Sequence, residues 1–242
     1  MAYDWHWRVF LEPAPGHERY YDWVLSGLKI TLALGLSAWV IALALGLVLG
    51  VMRTLPNKLL SGFAAGYVEL FRNIPLLVQL FMWYFIGPEV LPFGDAIKKI
   101  DPVAQQYLAA MLCLGTYTAA RICEQVRAGI LSLPRGQRLA GQALGMTLPQ
   151  TYRFVLLPMA LRIIVPPLTS EFLSIFKNSA VASTVGLLEL AAQGRQLVDY
   201  TSRPYESFIA ITLMYILVNV VVMLAMRWVE ARTKVPGYIG AH

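Results

Sequence analysis

Long apolar blocks alternate with short charged ones along the chain. From Ile30 to Met52 no charged residue occurs. A helix needs about 20 apolar residues to span a bilayer, so this block predicts a first crossing. Within it, Gly46 and Gly50 form a small-xxx-small pair that permits close helix contact. A short basic turn follows, with Arg53 and Lys58 around Pro56-Asn57. The second block, about Phe63 to Ile86, is interrupted by Glu69 and Arg72, whose spacing lets them pair on one helix face. It also holds Pro75 and Gln79. A proline and an amide inside a membrane helix need internal partners, so this face is expected to look into protein or water. Residues Pro102–Ala120 are uncharged and predict a third crossing. A fourth, about Phe154 to Phe176, is broken by Arg162, Pro166-Pro167 and Glu171. A fifth runs uncharged from Ser207 to Met226.

Composition agrees. Of 242 residues, 57% are hydrophobic and 14% charged, against about 25% charged in soluble domains. The expected fold is therefore an all-α integral membrane protein with about five crossings. The net charge of +6 comes from basic residues that flank apolar runs, so nucleic acid is not an expected partner and membrane lipid is. Residues 1–22 carry Asp4, Glu12, Glu18 and Asp22 with no basic-then-apolar order, so no removable signal peptide is expected. They read as a loosely ordered tail, with Tyr20, Tyr21 and Trp23 at headgroup level. Cys113 and Cys123 lie roughly 15 Å apart if they share a helix, beyond disulfide reach.

Basic loops set orientation. The turn after crossing one, the segment after crossing three and the C-terminal tail are basic. With five crossings these share one side. The N-terminus is thus expected outside, in the periplasm, and the C-terminus in the cytoplasm of an inner membrane protein.

Local chemistry is sparse. There is no phosphate-binding GxxxxGK[ST] loop, no HExxH and no Cys/His cluster with metal spacing. Work against a gradient would need an ion gradient or a partner, and both alternatives stand at this point. The segment after crossing three is distinctive. From Arg135 to Pro158 it carries Arg135, Arg138 and Arg153 among small residues such as Gly136, Ala140, Gly141, Ala143 and Gly145. An Ala/Gly-rich helix lets another protein approach closely. Gly145 permits a helix end or turn, and Pro149 can start the next helix. The expectation is a short helix, a turn and a second helix on the basic side.

This stretch resembles the cytoplasmic signature E-A-A-x3-G-x9-I-x-L-P of permeases from bacterial binding-protein-dependent ABC importers. Ala140, Gly145, Val155, Leu157 and Pro158 match at the right spacing. Leu139 stands in place of the Glu and Gly141 in place of the second Ala, so the polar anchor of that Glu is missing. Phe71–Pro88 and Leu133–Gln137 are similar to segments of the polar amino acid permease group. The run Pro166–Ser183 is most similar to glutamate/aspartate permeases.

The resemblance implies a type I ABC importer transmembrane domain over 23–228, with a coupling loop about 121–153 and tails at 1–22 and 229–242. It implies no ATPase site and no cofactor in this chain. ATP-Mg would bind two partner ATPases, alongside a second permease subunit and a periplasmic substrate-binding protein. Coupling would fall to Leu139, Ala140, Gly141, Ala143, Leu144, Gly145 and Pro158. Intramembrane Arg162, Glu171, Lys177 and Gln79 are candidate path residues, since charges there are costly. Alternatively, Arg162 and Lys177 sit at the two headgroup layers and Glu171 pairs within the bundle. An ion-coupled secondary transporter subunit is the rival function, and a membrane scaffold a third; the absence of visible repeats weighs against the former.

Overall fold

The computed structural model describes residues 3–16, 18–92 and 94–233. The tail from residue 234 onward, with Lys234, lies outside the described residues, as do His17 and His242. Among the described residues the regular elements are helices, beside an isolated β-bridge between Pro13 and Arg19.

A 3-10 turn at Trp7–Leu11 precedes α1, Tyr20–Met52. Next come α2, Lys58–Asn73, and α3, Leu76–Val90. The second apolar block is thus two helices, not one. Pro75 adopts an extended backbone, φ −56 and ψ 141, and disfavours helix at the residue before it. Helix α4 spans Gly94–Lys98 and α5 spans Pro102–Leu131. Helix α5 therefore continues well past Ala120 and takes up Arg121, Glu124 and Arg127, which the sequence reading put in a loop. Nothing breaks it before Pro134. Then follow α6, Arg135–Ala143, and α7, Leu148–Val185. Pro166 and Pro167 lie inside α7 without ending it. Helices α8, Leu190–Thr201, and α9, Pro204–Thr233, complete the chain.

Helices α1, α7 and α9 are long and apolar enough to cross a membrane, and α2 with α3 qualify together as a broken span. The third expected crossing, α5, is 30 residues long but falls short in hydropathy. Its Gln105, Gln106, Thr116 and Thr118 are covered rather than exposed, so lipid does not set their character.

Two compact units divide the chain. The first comprises Met1–Val40, Ile74–Gly115 and Ser174–Val221. In it Val9, Ala14, Tyr20, Trp23 and Val24 pack with Leu190, Leu197 and Ile211. The Glu206 carboxylate accepts from the Tyr3 hydroxyl at 2.6 Å and the His6 N–H at 2.7 Å. Arg203 donates to the Asp4 carbonyl at 2.7 Å. The N-terminal segment, expected to be loosely ordered, is instead docked on the start of α9. Buried apolar anchors and three polar ties offset the entropy of ordering it.

The second unit comprises Ile41–Asn73, Thr116–Leu173 and Val222–His242. Here the glycine pair of α1 meets α5. A Cβ on Gly46 would overlap Ile122, and one on Gly50 would overlap Val126. Tight contact, not the hydrophobic effect, holds helices together in lipid. The Tyr67 hydroxyl adds a hydrogen bond to the Thr116 carbonyl at 2.8 Å.

Candidate functional site

Helix α6 and the turn after it form the candidate coupling element. Pro134 is extended, φ −55 and ψ 132, and sets off the helix. Nine residues later the helix ends in a complete Schellman motif. Gly145, with φ +78, occupies the left-handed position. Its N–H donates to the Gln142 carbonyl at 3.0 Å, and the Met146 N–H donates to Gly141 at 3.1 Å. Any side chain here would be strained.

Thr147 then caps the next helix. Its N–H donates to Gln150 Oε1 at 2.8 Å, and the Gln150 N–H reaches Thr147 Oγ1 at 3.5 Å. This is a capping box. Pro149 lies in the first turn of α7, where its missing N–H costs nothing. Stop and start signals thus follow each other within six residues, and the helix–turn–helix geometry is local in origin.

A wide π turn at Tyr152–Leu156 follows, closed by the Leu157 N–H on the Tyr152 carbonyl. Pro158 comes next but one. A proline ring clashes with the carbonyl four residues back, here that of Phe154, and a widened turn relieves it. The same order recurs at Met82–Ile86, which is followed by Gly87 and Pro88. Pro158, itself exposed, therefore acts on the backbone at the base of α7.

The expected coupling residues separate by exposure. Leu139 and Leu144 are 59% and 78% exposed, with Ala140, Ala143 and Gly145 exposed beside them. Gly141 alone of the set is buried, against Thr151. The Tyr152 hydroxyl donates to the Thr54 carbonyl at 2.8 Å and anchors the base of α7 on the turn after α1.

The candidate path residues are divided between the two units. Glu171 accepts from Gln125 at 3.1 Å and from Arg121 at 3.3 Å, both on α5. Arg162, in the same unit, is exposed. Gln79 and Lys177 belong to the other unit. Gln79 is buried and donates to the Ile74 carbonyl at 2.8 Å, capping the break before α3. Lys177 is exposed in the last α-helical turn before the 3-10 end of α7. The expected Glu69–Arg72 pair is absent among the described residues: both side chains are exposed and neither has an ionic partner. An exposed pair gains too little to hold two long side chains.

Sequence reasoning missed two acids. Glu124 bridges Arg53 of the basic turn and Arg127 of α5, the latter at 3.1 Å. Its isolation among arginines was the available signal. Glu189 is fully buried and caps α8, accepting from Ala191 and Ala192 N–H groups at 3.0 and 2.8 Å and from the Tyr215 hydroxyl at 2.8 Å. No sequence signal marked it, because its partner Tyr215 is far along the chain. Among the described residues no cluster of three His, Cys, Asp or Glu side chains could hold a metal. Cys113 and Cys123 are buried, and neither is in a disulfide.

Comparison with known proteins agrees with this architecture. Residues 42–235 match the family of binding-protein-dependent transport system inner membrane components. The chain is 53% identical over 244 residues, 99% of each chain, to the glutamate/aspartate import permease protein GltJ of Escherichia coli K12. It is 31% identical over 212 residues, 88% of this chain and 93% of the relative, to the glutamine transport system permease protein GlnP of the same organism. Among solved structures, an amino acid ABC transporter with histidines aligns with a TM-score of 0.74 at 30% identity, over 88% of this chain and 95% of that one. The inward-facing MetNI methionine ABC transporter aligns with a TM-score of 0.68 at 25% identity, over 88% and 94%. Long apolar helices with a broken second span, an exposed Schellman-capped helix between two of them in the chain and full-length kinship to these permeases leave one assignment: the chain belongs to the binding-protein-dependent inner membrane transport components, as a multi-pass permease subunit of the polar amino acid family of ABC importers with the type I fold.

Proposed function

We propose that this chain is the permease of a glutamate/aspartate importer, driven through α6 by ATPase subunits that are separate chains. The observation that carries the coupling reading is the exposed Leu139–Leu144 surface on a helix closed at its end by Gly145. Such a rigid, apolar, small-residue knob fits a cleft in a partner. The substrate class is supported by the 53% identity to GltJ along the whole chain. In this reading two permease subunits pair, two ATPases bind ATP-Mg on the cytoplasmic side, and a periplasmic binding protein delivers the amino acid. The N-terminus lies outside and the C-terminus inside. ATP binding draws the ATPases together and with them the α6 knobs, because the ATPase pair holds the two states of the permease with different affinity. Leu139 in place of the motif Glu makes the grip apolar rather than ionic.

Arg162 or Lys177 would offer a charge-assisted partner to a substrate carboxylate. Glu171 is held by Arg121 and Gln125 and serves the bundle.

The test is affinity purification of the chain with identification of its partners, then ATPase assay of the complex with the binding protein and glutamate, aspartate or glutamine. ATPase subunits should co-purify, and glutamate or aspartate should stimulate hydrolysis. Stimulation by glutamine alone would overturn the substrate assignment. Solute movement by the purified chain without an ATPase would overturn the coupling reading.

A further inference from the structure

A groove of about 480 Å³ lies beside α6. Its floor is apolar: Ile130 in the last turn of α5, Leu133 just after it, and Leu156 from the π turn of α7. Arg135 and Arg138 line it from α6, one turn apart, with Leu139 beside them. Thr54 and Tyr152 supply polar edges.

The depth of this groove follows from the helices that build it. Helix α1 ends at Met52, α5 ends at Leu131 and α7 begins at Leu148. Every lining residue but Leu156, two turns into α7, lies within a few positions of one of these ends or on the short helix between them. The groove therefore sits where the spans leave the hydrocarbon, at headgroup level.

Its charge is uncompensated. Between Glu124 and Glu171 the sequence has five arginines and no acidic residue. Among the described residues neither Arg135 nor Arg138 makes an ion pair. A guanidinium matches a phosphate with paired hydrogen bonds. Basic pockets at the cytoplasmic ends of membrane helices suit anionic headgroups.

We propose that this groove binds one anionic phospholipid, its phosphate on Arg135 and Arg138 and an acyl chain over Ile130, Leu133 and Leu156. The lipid is the occupant the groove fits because the arginines and the apolar floor meet at the depth where such molecules are densest. Since Leu139 borders the same groove, the bound lipid braces α6 from the membrane side. The inference rests on the membrane placement of the spans and not on the coupling reading.

The test uses the full assembly in vesicles of phosphatidylcholine with phosphatidylglycerol. The assembly is extracted and its retained lipid measured by mass spectrometry. Wild type retains phosphatidylglycerol over phosphatidylcholine. Arg135→Gln with Arg138→Gln lowers that preference roughly thirtyfold, about fivefold for each charge near the surface. The double Lys variant keeps most of it, because the charge remains. Leu131→Glu, an exposed change at the rim, lowers it as well and stands as the independent test if the double Gln variant fails to fold. Undiminished phosphatidylglycerol in both the double Gln and the Leu131→Glu variants overturns the proposal. So does release of the ATPase subunits with lipid retained, which would assign the groove to a protein partner. Displacement of the lipid by inorganic phosphate at equal concentration would make it a simple anion site and overturn it too.

Discussion

Gly141 packs directly on Thr151: a Cβ on the glycine would come within 3.1 Å of the threonine Cγ2. Thr151 is fully buried, and its hydroxyl donates to the Thr147 carbonyl at 3.0 Å. That bond holds the methyl group toward α6. Glycine in a helix costs about 0.5–1 kcal/mol relative to alanine. Here the cost is offset by close seating of α6 on the base of α7, which accounts for the departure of Gly141 from the family pattern.

Gly141→Ala should therefore loosen α6, because overpacking of about 1–3 kcal/mol exceeds the roughly 0.5–1 kcal/mol gained in helix propensity. Thr151→Ser in the same chain removes the methyl and should restore the seat. Hydrogen exchange across residues 135–146 measures both. Equal protection in wild type and the single variant would remove the contact from the account.

Gly145→Val should abolish substrate-stimulated ATP hydrolysis while the subunit stays in the membrane. A β-branched residue at φ +78 carries strain of order 1–3 kcal/mol, enough to unwind the Schellman turn. Gly145→Asn should retain part of the coupling, since asparagine tolerates this region. Coupling at wild-type level in the valine variant would contradict a backbone role.

Glu124→Gln leaves Arg53 and Arg127 facing each other across α1 and α5 ends without their shared acid. All three side chains are only partly covered, so the loss is about 1–2 kcal/mol rather than that of a fully buried pair. It should show as a lower melting temperature of the detergent-solubilised complex. The difference from wild type should shrink at high salt, where the pair is already screened.

Burial holds the Glu189 carboxyl above the usual carboxylate range, although two backbone N–H groups and Tyr215 favour its charged form. The folded chain thus binds this proton more tightly than the unfolded one. Its contribution to stability is complete below the ordinary glutamate value and is lost as pH rises through the folded-state value. Glu189→Gln keeps one acceptor oxygen in place of two and cannot titrate, so it should lower stability at every pH and flatten that part of the stability–pH curve. A melting series from acidic to neutral pH on both proteins is the check. Parallel curves would show that Glu189 does not titrate across it.

Much of this protein was legible from residue order alone. Uncharged runs of sufficient length mark membrane helices because lipid cannot solvate charge. Pro134, Gly145 and Pro149 mark where α6 stops and α7 starts, because these residues act on their own backbone. Family membership was legible for the same reason, since the Ala140–Gly145–Pro158 spacing is local. Partnership between distant segments was not. Only the tertiary structure seated Gly46 and Gly50 on Ile122 and Val126, and placed Glu124 between two arginines. It also docked the N-terminal segment on Glu206 and opened the groove between Arg138 and Leu156. Each of these depends on which helix faces which, and in lipid that choice rests on shape and hydrogen bonding between elements, for which hydropathy along the chain carries no signal.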